Sequence, residues 1–233
     1  MKIEQIGDAT LYLGDCFEFM REQPDRSFDL CVADPWYGIG MTRNDTTGFA
    51  KRRFRTESDT ADKSPPKEHF DAIKRVSRNQ IIWGGNYFLD YLGNCRAPVI
   101  WDKGTGANYF ADGEFAWTSF KTGCLRILKH QWCGAFKDSE RGEPLIHPCQ
   151  KPVYVYRWLY ERFTAVGQSL FDPYLGSGSS IVAAIDRGLI VTACEINEKH
   201  FDNACRRIAD AYKQPRLFPD EPRPQPVAQE LPL

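Results

Sequence analysis

The chain has 233 residues, a formal net charge of −1 and 26% charged residues. This length predicts one domain, with room for a second. The near-zero charge excludes nucleic-acid binding that depends on a globally basic protein, though not binding by a local basic face. No apolar run approaches the length of a membrane span, and the first residues include no apolar signal region. We therefore expect a cytoplasmic protein.

The chain contains eight cysteines. None lies in a Cys-x-x-Cys pair, and without an export signal we expect them to be reduced thiols. Cys124, His130 and Cys133 are the best zinc candidates, but their spacing fits no common ligand pattern. The sequence therefore predicts no metal site.

Short, β-rich apolar runs bounded by turn residues predict the strands of the fold. Seven strands are predicted, at 10–13, 28–33, 80–83, 98–101, 114–120, 169–171 and 190–194, and residues 125–132 provide an optional eighth. Helices are predicted from Cys16, from a Ser64 cap followed by prolines, from His147 to about Gly167 with Val166 on the apolar face, from Ile181, and from an Asn197 cap. Strands that alternate with helices predict an α/β fold with a mostly parallel sheet and an antiparallel hairpin within 98–120.

Two segments lack hydrophobic periodicity. Residues 39–63 are polar and basic, and a loop of this length is usually functional or disordered. After Lys213 the chain is proline-rich and polar, which is typical of a flexible tail. We therefore expect one domain over 1–213 and a tail over 214–233.

The stretch Asp34-Pro35-Trp36-Tyr37 follows the predicted strand at 28–33. Ligands bind beyond the carboxyl ends of strands in open α/β sheets, so this is a position for chemistry. The acid can accept hydrogen bonds from an amino group, the proline restrains the backbone, and an aromatic ring can stack on a flat substrate. From these residues alone, a simple strand end with two core rings explains the pattern equally well.

A glycine- and serine-rich loop, residues 172–180, follows the predicted strand at 169–171. Such a loop lets the backbone approach an adenosine cofactor, and an acid after the next strand can hold its ribose. Glu195 fits that position, 17 residues after Gly178. Ile181 replaces the third glycine of the dinucleotide motif, which favours an adenosine ligand without a pyrophosphate. An ordinary turn is the alternative.

Three motifs together resemble those of one family. Residues 171–180, Phe-Asp-Pro-Tyr-Leu-Gly-Ser-Gly-Ser-Ser, resemble the Phe-Asp-Pro-Phe-x-Gly-Ser-Gly loop of amino-group DNA methyltransferases. Residues 147–152 resemble its His-Pro-Thr-Gln-Lys-Pro segment, and residues 34–37 resemble its Asp-Pro-Pro-Tyr motif. The order, with the catalytic motif first and the cofactor loop last, is that of the permuted β-class enzymes of bacteria and phages. Trp36, Cys149 and Tyr174 depart from the family pattern.

The resemblance implies a seven-stranded, circularly permuted methyltransferase fold that uses S-adenosylmethionine. It assigns catalysis to Asp34, Pro35, Trp36 and Tyr37. It assigns cofactor binding to Asp15, Cys16, Asp34, Lys151, Phe171, Asp172, Pro173, Gly176, Ser177, Gly178, Ser180 and Glu195. Within this set, Glu195 is expected to hold the ribose, Lys151 and Ser180 to lie near the methionine carboxylate, and Asp15 and Cys16 to meet the adenine.

The implied substrate is duplex DNA, with a target base flipped out of the helix. By resemblance, the initial Asp of the catalytic motif favours adenine over cytosine, and the enzyme is expected to be a homodimer. Candidate DNA contacts are Lys51, Arg52, Arg53, Arg55, Lys103, Lys137 and Arg141, with target recognition placed at about 102–146. The alternatives are a cytosine 4-amino methyltransferase, the same chemistry on RNA, a nicotinamide-dependent oxidoreductase, or an inactive DNA-binding module.

Overall fold

The computed structural model describes residues 2–39, 63–105, 111–133 and 136–214. Predictions that fall on other residues lie outside this part of the chain. They concern the basic residues Lys51, Arg52, Arg53 and Arg55, most of the 39–63 loop and the proline-rich tail. No helix among the described residues is long and apolar enough to span a membrane.

The strands and helices alternate through much of the chain. The strands are β1 (Lys2–Ile6), β2 (Ala9–Leu13), β3 (Phe28–Ala33), β4 (Ser77–Trp83), β5 (Val99–Asp102), β6 (Gly113–Thr118), β7 (Arg126–Lys129), β8 (Trp132–Cys133), β9 (Phe136–Lys137), β10 (Ser169–Asp172) and β11 (Ile190–Glu195). The helices are α1 (Cys16–Glu22), α2 (Lys67–Val76), α3 (Leu89–Leu92), α4 (Val153–Phe163), α5 (Ser179–Arg187) and α6 (Glu198–Lys213).

A nine-stranded sheet has the order β1-β2-β11-β10-β3-β4-β6-β5-β7, and β8 pairs separately with β9. The five neighbouring strands from β2 to β4 are mutually parallel. β6 is antiparallel to both β4 and β5, which confirms the predicted hairpin. The carboxyl ends of the parallel strands therefore share one edge with the first residues of β6.

The chain turns away in opposite directions after the adjacent strands β10 and β3. β10 leads through α5 to β11 on one side, and β3 leads through α2 to β4 on the other. Divergence of this kind opens a crevice beyond the strand ends, which is the usual ligand site of open α/β sheets. It places the segment after Ala33 beside the segment after Asp172.

Helices cover both faces of the sheet. Leu30 and Val32 of β3 face the cluster formed with α4, α5 and α6. Cys31 and Ala33 alternate to the opposite face, where α1, α2 and α3 pack. This period of two is the expected alternation of a strand, and burial on both faces explains why β3 is a continuous apolar run.

The predicted number of strands is wrong. The sheet has nine strands rather than seven. β1 lies at one edge with most of its side chains exposed, so it lacks the apolar run of a buried strand. β7 occupies the range of the optional eighth strand and forms the other edge.

Two helix predictions also need correction, whereas the Asn197 cap is confirmed. Pro66, not Ser64, occupies the N-cap of α2, without a side-chain cap bond. α4 starts after Pro152 and ends at Phe163, so Val166 lies beyond the helix. Asn197 accepts a hydrogen bond from the His200 amide at 3.1 Å, as expected for a helix cap.

Candidate active site

One cavity of about 1260 Å³ lies beyond the shared strand edge. The loops after β2, β3, β4, β10 and β11 contribute to its wall, together with the segment that precedes α4. The predicted site residues that line it are Asp15, Cys16, Asp34, Pro35, Trp36, Tyr37, Lys103, Lys151, Pro173, Gly176, Ser177, Ser180 and Glu195. The fold thus brings together side chains from all three motifs.

Asp34, directly after β3, belongs to a dense polar cluster. The Lys151 ammonium lies 2.5 Å from each of its carboxylate oxygens. The Tyr37 hydroxyl donates to Oδ1 at 2.9 Å. Both oxygens of the predicted catalytic acid are therefore already engaged by donors of the protein.

Glu114, the second residue of β6, is a further member of this cluster. Its Oε2 lies 3.0 Å from the Lys151 ammonium and 3.2 Å from the Tyr37 hydroxyl, which makes it the alternative acceptor for the single hydrogen of that hydroxyl. Its Oε1 lies 2.6 Å from the ammonium of Lys103. The cluster therefore contains two acids and two ammonium groups, which balance in charge.

Burial and charge act on this cluster in opposite directions. Burial raises the pKa of Asp34 above its ordinary value; Lys151 opposes that shift and Glu114 adds to it. Burial also works against ionisation of Glu114, but Lys151 and Lys103 outweigh it and lower the pKa of Glu114 to about 2. The pKa of Lys151 is raised, because its two acids outweigh burial. Glu114 and Lys151 are therefore charged at neutral pH.

The ring of Tyr37 is held by the turn after β4. It stacks on Tyr87 with a centroid distance of 5.2 Å and packs edge-on against Phe88 at 6.3 Å. Gly84 has φ +65°, and a Cβ there would lie 2.2 Å from the Tyr37 ring. Only glycine leaves room for this ring, so Gly84 supports the position of the Tyr37 hydroxyl.

Trp36 lies on the opposite side of the motif, against the segment at 147–152. Its ring centroid is 6.1 Å from that of His147, which in turn packs edge-on against His200 at 4.5 Å. Burial, together with His200 and Lys151, lowers the pKa of His147 to about 3. His147 is therefore a neutral wall residue at physiological pH.

The loop after β10 is organised by Asp172. This buried carboxylate accepts hydrogen bonds from the Ser180 hydroxyl and, at 2.9 Å, from the Tyr174 amide. Burial raises the pKa of Asp172 to about 7 despite these two donors. Ser180 therefore contacts Asp172 in the loop, whereas we had expected it near the carboxylate of a cofactor.

Glu195, at the end of β11, closes the far side of the same loop. Its Oε2 accepts from the Gly176 amide and its Oε1 from the Asn197 amide, both at 2.9 Å. Burial raises the pKa of Glu195, and the Asn197, Gly176 and Ile196 amides oppose that shift. An ionised carboxylate has about four lone-pair positions, so Glu195, which lines the cavity, keeps room to accept a hydrogen bond from a ligand.

The loop after β2 forms another part of the wall. Asp15 caps α1 by accepting from the Phe17 amide at 2.7 Å. Cys16 is buried, and burial raises the pKa of its thiol to about 12. Tyr174 lines the same region, with its hydroxyl 3.5 Å from His69 Nδ1. These residues form an aromatic, weakly polar recess.

Three residues predicted to bind a cofactor do not line the cavity. Phe171 is fully buried and stacks on Phe28 at a centroid distance of 4.8 Å. Asp172 is turned into the loop that it organises. A Cβ on Gly178 would lie 3.2 Å from Ile208, so this glycine faces α6. These three residues hold the β10 strand end and its loop in place.

The predicted DNA contacts separate into two groups. Lys103 is mostly buried, and its ammonium is paired with Glu114. Lys137 lies on the β8–β9 hairpin with its ammonium 4.2 Å from the centroid of the Trp132 ring. Arg141 is exposed and donates to the Lys137 carbonyl at 2.6 Å. Of these three, Lys137 and Arg141 lie outside the buried charge cluster.

Sequence reasoning missed Glu114 and Gly84. An acid at the start of an apolar strand, Glu114-Phe115-Ala116-Trp117, is a weak signal that only its buried position makes meaningful. Lys151 was identified, but its expected partner was the carboxylate of a cofactor. The structure instead places its ammonium between Asp34 and Glu114.

Comparison with known proteins agrees with this geometry. Residues 125–206 match a family model described as DNA methylase, of the N6/N4 amino type. YubD of Escherichia coli (strain K12), a methylase by designation, is 24% identical over 221 residues, which is 84% of this chain and 88% of YubD.

Solved structures share the fold at low identity. TTHA0409 of Thermus thermophilus, a DNA modification methylase by designation, has a TM-score of 0.58 at 18% identity, covering 87% of this chain and 95% of that one. PvuII DNA methyltransferase, named as cytosine-N4-specific, has a TM-score of 0.59 at 12% sequence identity, and the match covers 89% of this chain and 92% of that one. M1.HpyAVI, solved as a complex with SAM, has a TM-score of 0.54 at 16% sequence identity, and the match covers 86% of this chain and 98% of that one. The chain therefore has a methyltransferase fold, and the family match supports an amino-group DNA methylase without deciding the base.

Proposed function

We propose that the protein is an S-adenosylmethionine-dependent DNA methyltransferase that acts on the exocyclic 6-amino group of an adenine in duplex DNA. One observation carries the proposal. Asp34 and the Gly176 loop follow the adjacent strands β3 and β10 and line the same cavity. An acceptor for an amino group thus lies beside a loop suited to an adenosine ligand.

The cavity suits two ligands. Single small-molecule sites typically have volumes of about 300–1,000 Å³. The cavity here, about 1260 Å³, leaves room for a cofactor and a base together. Bound S-adenosylmethionine supplies an electrophilic methyl group.

The chain provides suitable partners for the nucleoside part of this cofactor. Glu195 lines the cavity and can accept a hydrogen bond from a ribose hydroxyl, and the recess of Asp15, Cys16 and Tyr174 accommodates a flat ring. Lys151 is assigned to the catalytic cluster rather than to the carboxylate of the cofactor, because its ammonium is shared by Asp34 and Glu114. The residues present therefore fit the cofactor.

Asp34 and the carbonyl of Pro35 activate the target. An exocyclic amino nitrogen is a poor nucleophile because its lone pair is delocalised into the ring. Acceptors for its two hydrogens localise that lone pair on nitrogen, and a fixed arrangement of acceptors stabilises the transition state without reorganisation. Asp34 is held for this role by Tyr37 and Lys151.

The base must leave the duplex to reach Asp34. Trp36 and Tyr37 line the cavity beside the acid, and Tyr87, half exposed, extends this aromatic wall. Stacking on such rings contributes about 1–3 kcal/mol per base. The Tyr37 ring is packed against Tyr87 and Phe88, so the ring faces of Trp36 and Tyr87 are the more open stacking surfaces.

The 4-amino group of cytosine is the second candidate target. The similarity to a structure named as cytosine-N4-specific favours it, whereas the Asp at the start of the catalytic motif favours adenine by resemblance. Both bases present the same amino group to Asp34. The chemistry proposed for the cluster is therefore common to both.

Contacts to DNA remain proposals. Lys137 and Arg141 on the β8–β9 side, within the recognition region at about 102–146, and the basic residues at 51–55 are candidates to contact phosphate. Such contacts position the duplex without reading its sequence, and charge removal would flatten the salt dependence of binding. We further propose one methyltransferase domain over 1–213 and a homodimer, by resemblance to permuted enzymes.

The deciding experiment is labelled methyl transfer. The full chain is incubated with S-adenosylmethionine carrying a labelled methyl group and with unmethylated duplex DNA, and the product is hydrolysed to nucleosides. N6-methyladenine supports the proposal, and N4-methylcytosine supports the second candidate. Absence of label from DNA, with label in an RNA substrate or with nicotinamide-cofactor binding instead, overturns it.

A further inference from the structure

Asp34 meets a difficulty in its proposed role. To activate an amino group, one of its oxygens must accept a hydrogen bond from the substrate. In the structure Lys151 lies 2.5 Å from both oxygens, and Tyr37 also donates to Oδ1 at 2.9 Å. A carboxylate has about four lone-pair positions and three are taken here, so a substrate amino group has to compete with these donors for Asp34.

The two donors that occupy Asp34 share a second acceptor. Glu114 Oε2 lies 3.0 Å from the Lys151 ammonium and 3.2 Å from the Tyr37 hydroxyl. The other oxygen of Glu114 is held by Lys103 at 2.6 Å, which keeps Oε2 turned toward the cluster. Neither donor has to cross open space to move from one acid to the other.

We propose that Glu114 is a positioning residue that receives the Lys151 ammonium and the Tyr37 hydroxyl when the target amino group binds Asp34. The proposal rests on the proposed function and names a residue of the same site. Glu114 contacts the two donors and acts on the substrate only through them.

Electrostatics explain why an acid is needed at this place. Lys151 is 6% exposed, so an ammonium that left Asp34 without another anion would be a buried, unpaired charge. Lys103 alone would add a second positive charge nearby. Glu114 contacts both ammonium groups and, together with Asp34, balances their charge, so it can take a larger share of Lys151 without either charge leaving the cluster.

Glu114→Gln tests this role because it keeps the side-chain shape and removes the charge. We expect kcat to fall on the order of 10–10²-fold, as for a misplaced catalytic group. The dissociation constant for S-adenosylmethionine should stay within about twofold, since three strands of the sheet separate β6, which carries Glu114, from β11, which ends at Glu195. Asp29→Asn is the matched acid-to-amide control, at the opposite end of β3, where Asp29 accepts from Ser169 at 2.9 Å; its kcat should equal that of the wild type.

The pH profile distinguishes positioning from a merely structural role. Asp34 must be ionised, so its protonation sets the acid limb of kcat/KM. Lys151, Tyr37 and Glu114 surround it, and the more distant Tyr156 and Asp172 also interact with it electrostatically. Because Glu114 raises the pKa of Asp34, Glu114→Gln should move the acid limb to lower pH.

Glu114→Asp provides a second test, which also serves if Glu114→Gln does not fold. It keeps the charge and shortens the reach, so we expect an intermediate kcat and an unmoved acid limb. If the wild type is active and Glu114→Gln is equally active, this inference alone is overturned. If only Glu114→Asp folds, equal activity of that variant overturns it in the same way. A wild type that transfers no methyl group overturns the proposed function and this inference together.

Discussion

Gly84→Ala should destabilise the fold and disturb the catalytic cluster, because the new methyl group would clash with the ring of Tyr37. The residue has φ +65°, and its new Cβ would lie 2.2 Å from the Tyr37 ring. The Tyr37 ring cannot easily move away from this Cβ, because Tyr87 and Phe88 pack against it. Either the turn or the ring must move.

Two costs add in this variant. The left-handed backbone costs an alanine about 1–2 kcal/mol. Overpacking of a filled site typically costs about 1–3 kcal/mol more. The free energy of unfolding should therefore fall by about 2–5 kcal/mol, a large share of the roughly 5–15 kcal/mol that is typical of a domain.

Gly167→Ala separates the two costs. Gly167 has φ +82°, and no described atom lies within 4 Å of a Cβ built there, so this variant carries only the backbone strain. Urea denaturation of both variants should show Gly84→Ala less stable by about 1–3 kcal/mol than Gly167→Ala. In the methyl-transfer assay, only Gly84→Ala should lose kcat. Equal stability and equal activity of the two variants would refute the role given to Gly84.

Three further changes test the site. Asp34→Ala should lose on the order of 10²–10³-fold in kcat, because the acceptor for the amino group is gone; S-adenosylmethionine binding, measured by calorimetry, should be retained. Glu195→Gln should weaken that binding by about 10–10²-fold, the equivalent of roughly 1.5–3 kcal/mol for hydrogen bonds to a charged group, with much less effect on kcat. Asp172→Asn should change how stability depends on pH. The pKa of Asp172 is raised from an ordinary 3.8 to about 7 in the fold, so the folded state keeps the proton to a higher pH than the unfolded chain does. The stabilisation from this proton is complete below about pH 4 and is lost as pH rises to about 7. Between these pH values the free energy of unfolding of the wild type should fall by up to about 4 kcal/mol relative to that of Asp172→Asn, as measured by urea denaturation across the range.

Each of these has a clear contrary result. Wild-type transfer by Asp34→Ala would remove the catalytic assignment. Unchanged cofactor affinity in Glu195→Gln would place the ribose elsewhere. Parallel stability curves for the wild type and Asp172→Asn would show that Asp172 ionises normally inside its loop.

Much of the site was predictable because its signals are local. The acid of the catalytic motif follows directly after the apolar run of β3, and Glu195 ends that of β11. A strand buried on both faces is recognisable without knowledge of its neighbours, and its carboxyl end marks a ligand position. Edge strands lack this signal, which is why β1 was missed.

The residues that sequence reasoning misjudged depend on contacts between distant segments. Lys151 and Asp34 are 117 positions apart, and Tyr37 and Glu114 are 77 apart. No local pattern shows that the antiparallel β6 begins at the edge where the parallel strands end. No local pattern pairs Lys103 with Glu114 either.

The sequence by itself determined the fold class, the place of Asp34, Glu195 and the glycine loop, and the resemblance to amino-group methyltransferases. These follow from hydrophobic periodicity and short motifs, which are properties of contiguous residues. Only the tertiary structure decided which charges neutralise one another: Lys151 and Lys103 with Asp34 and Glu114. Charge pairing in a buried cluster depends on distances of a few ångströms, and those arise when strand order brings separate segments to one edge.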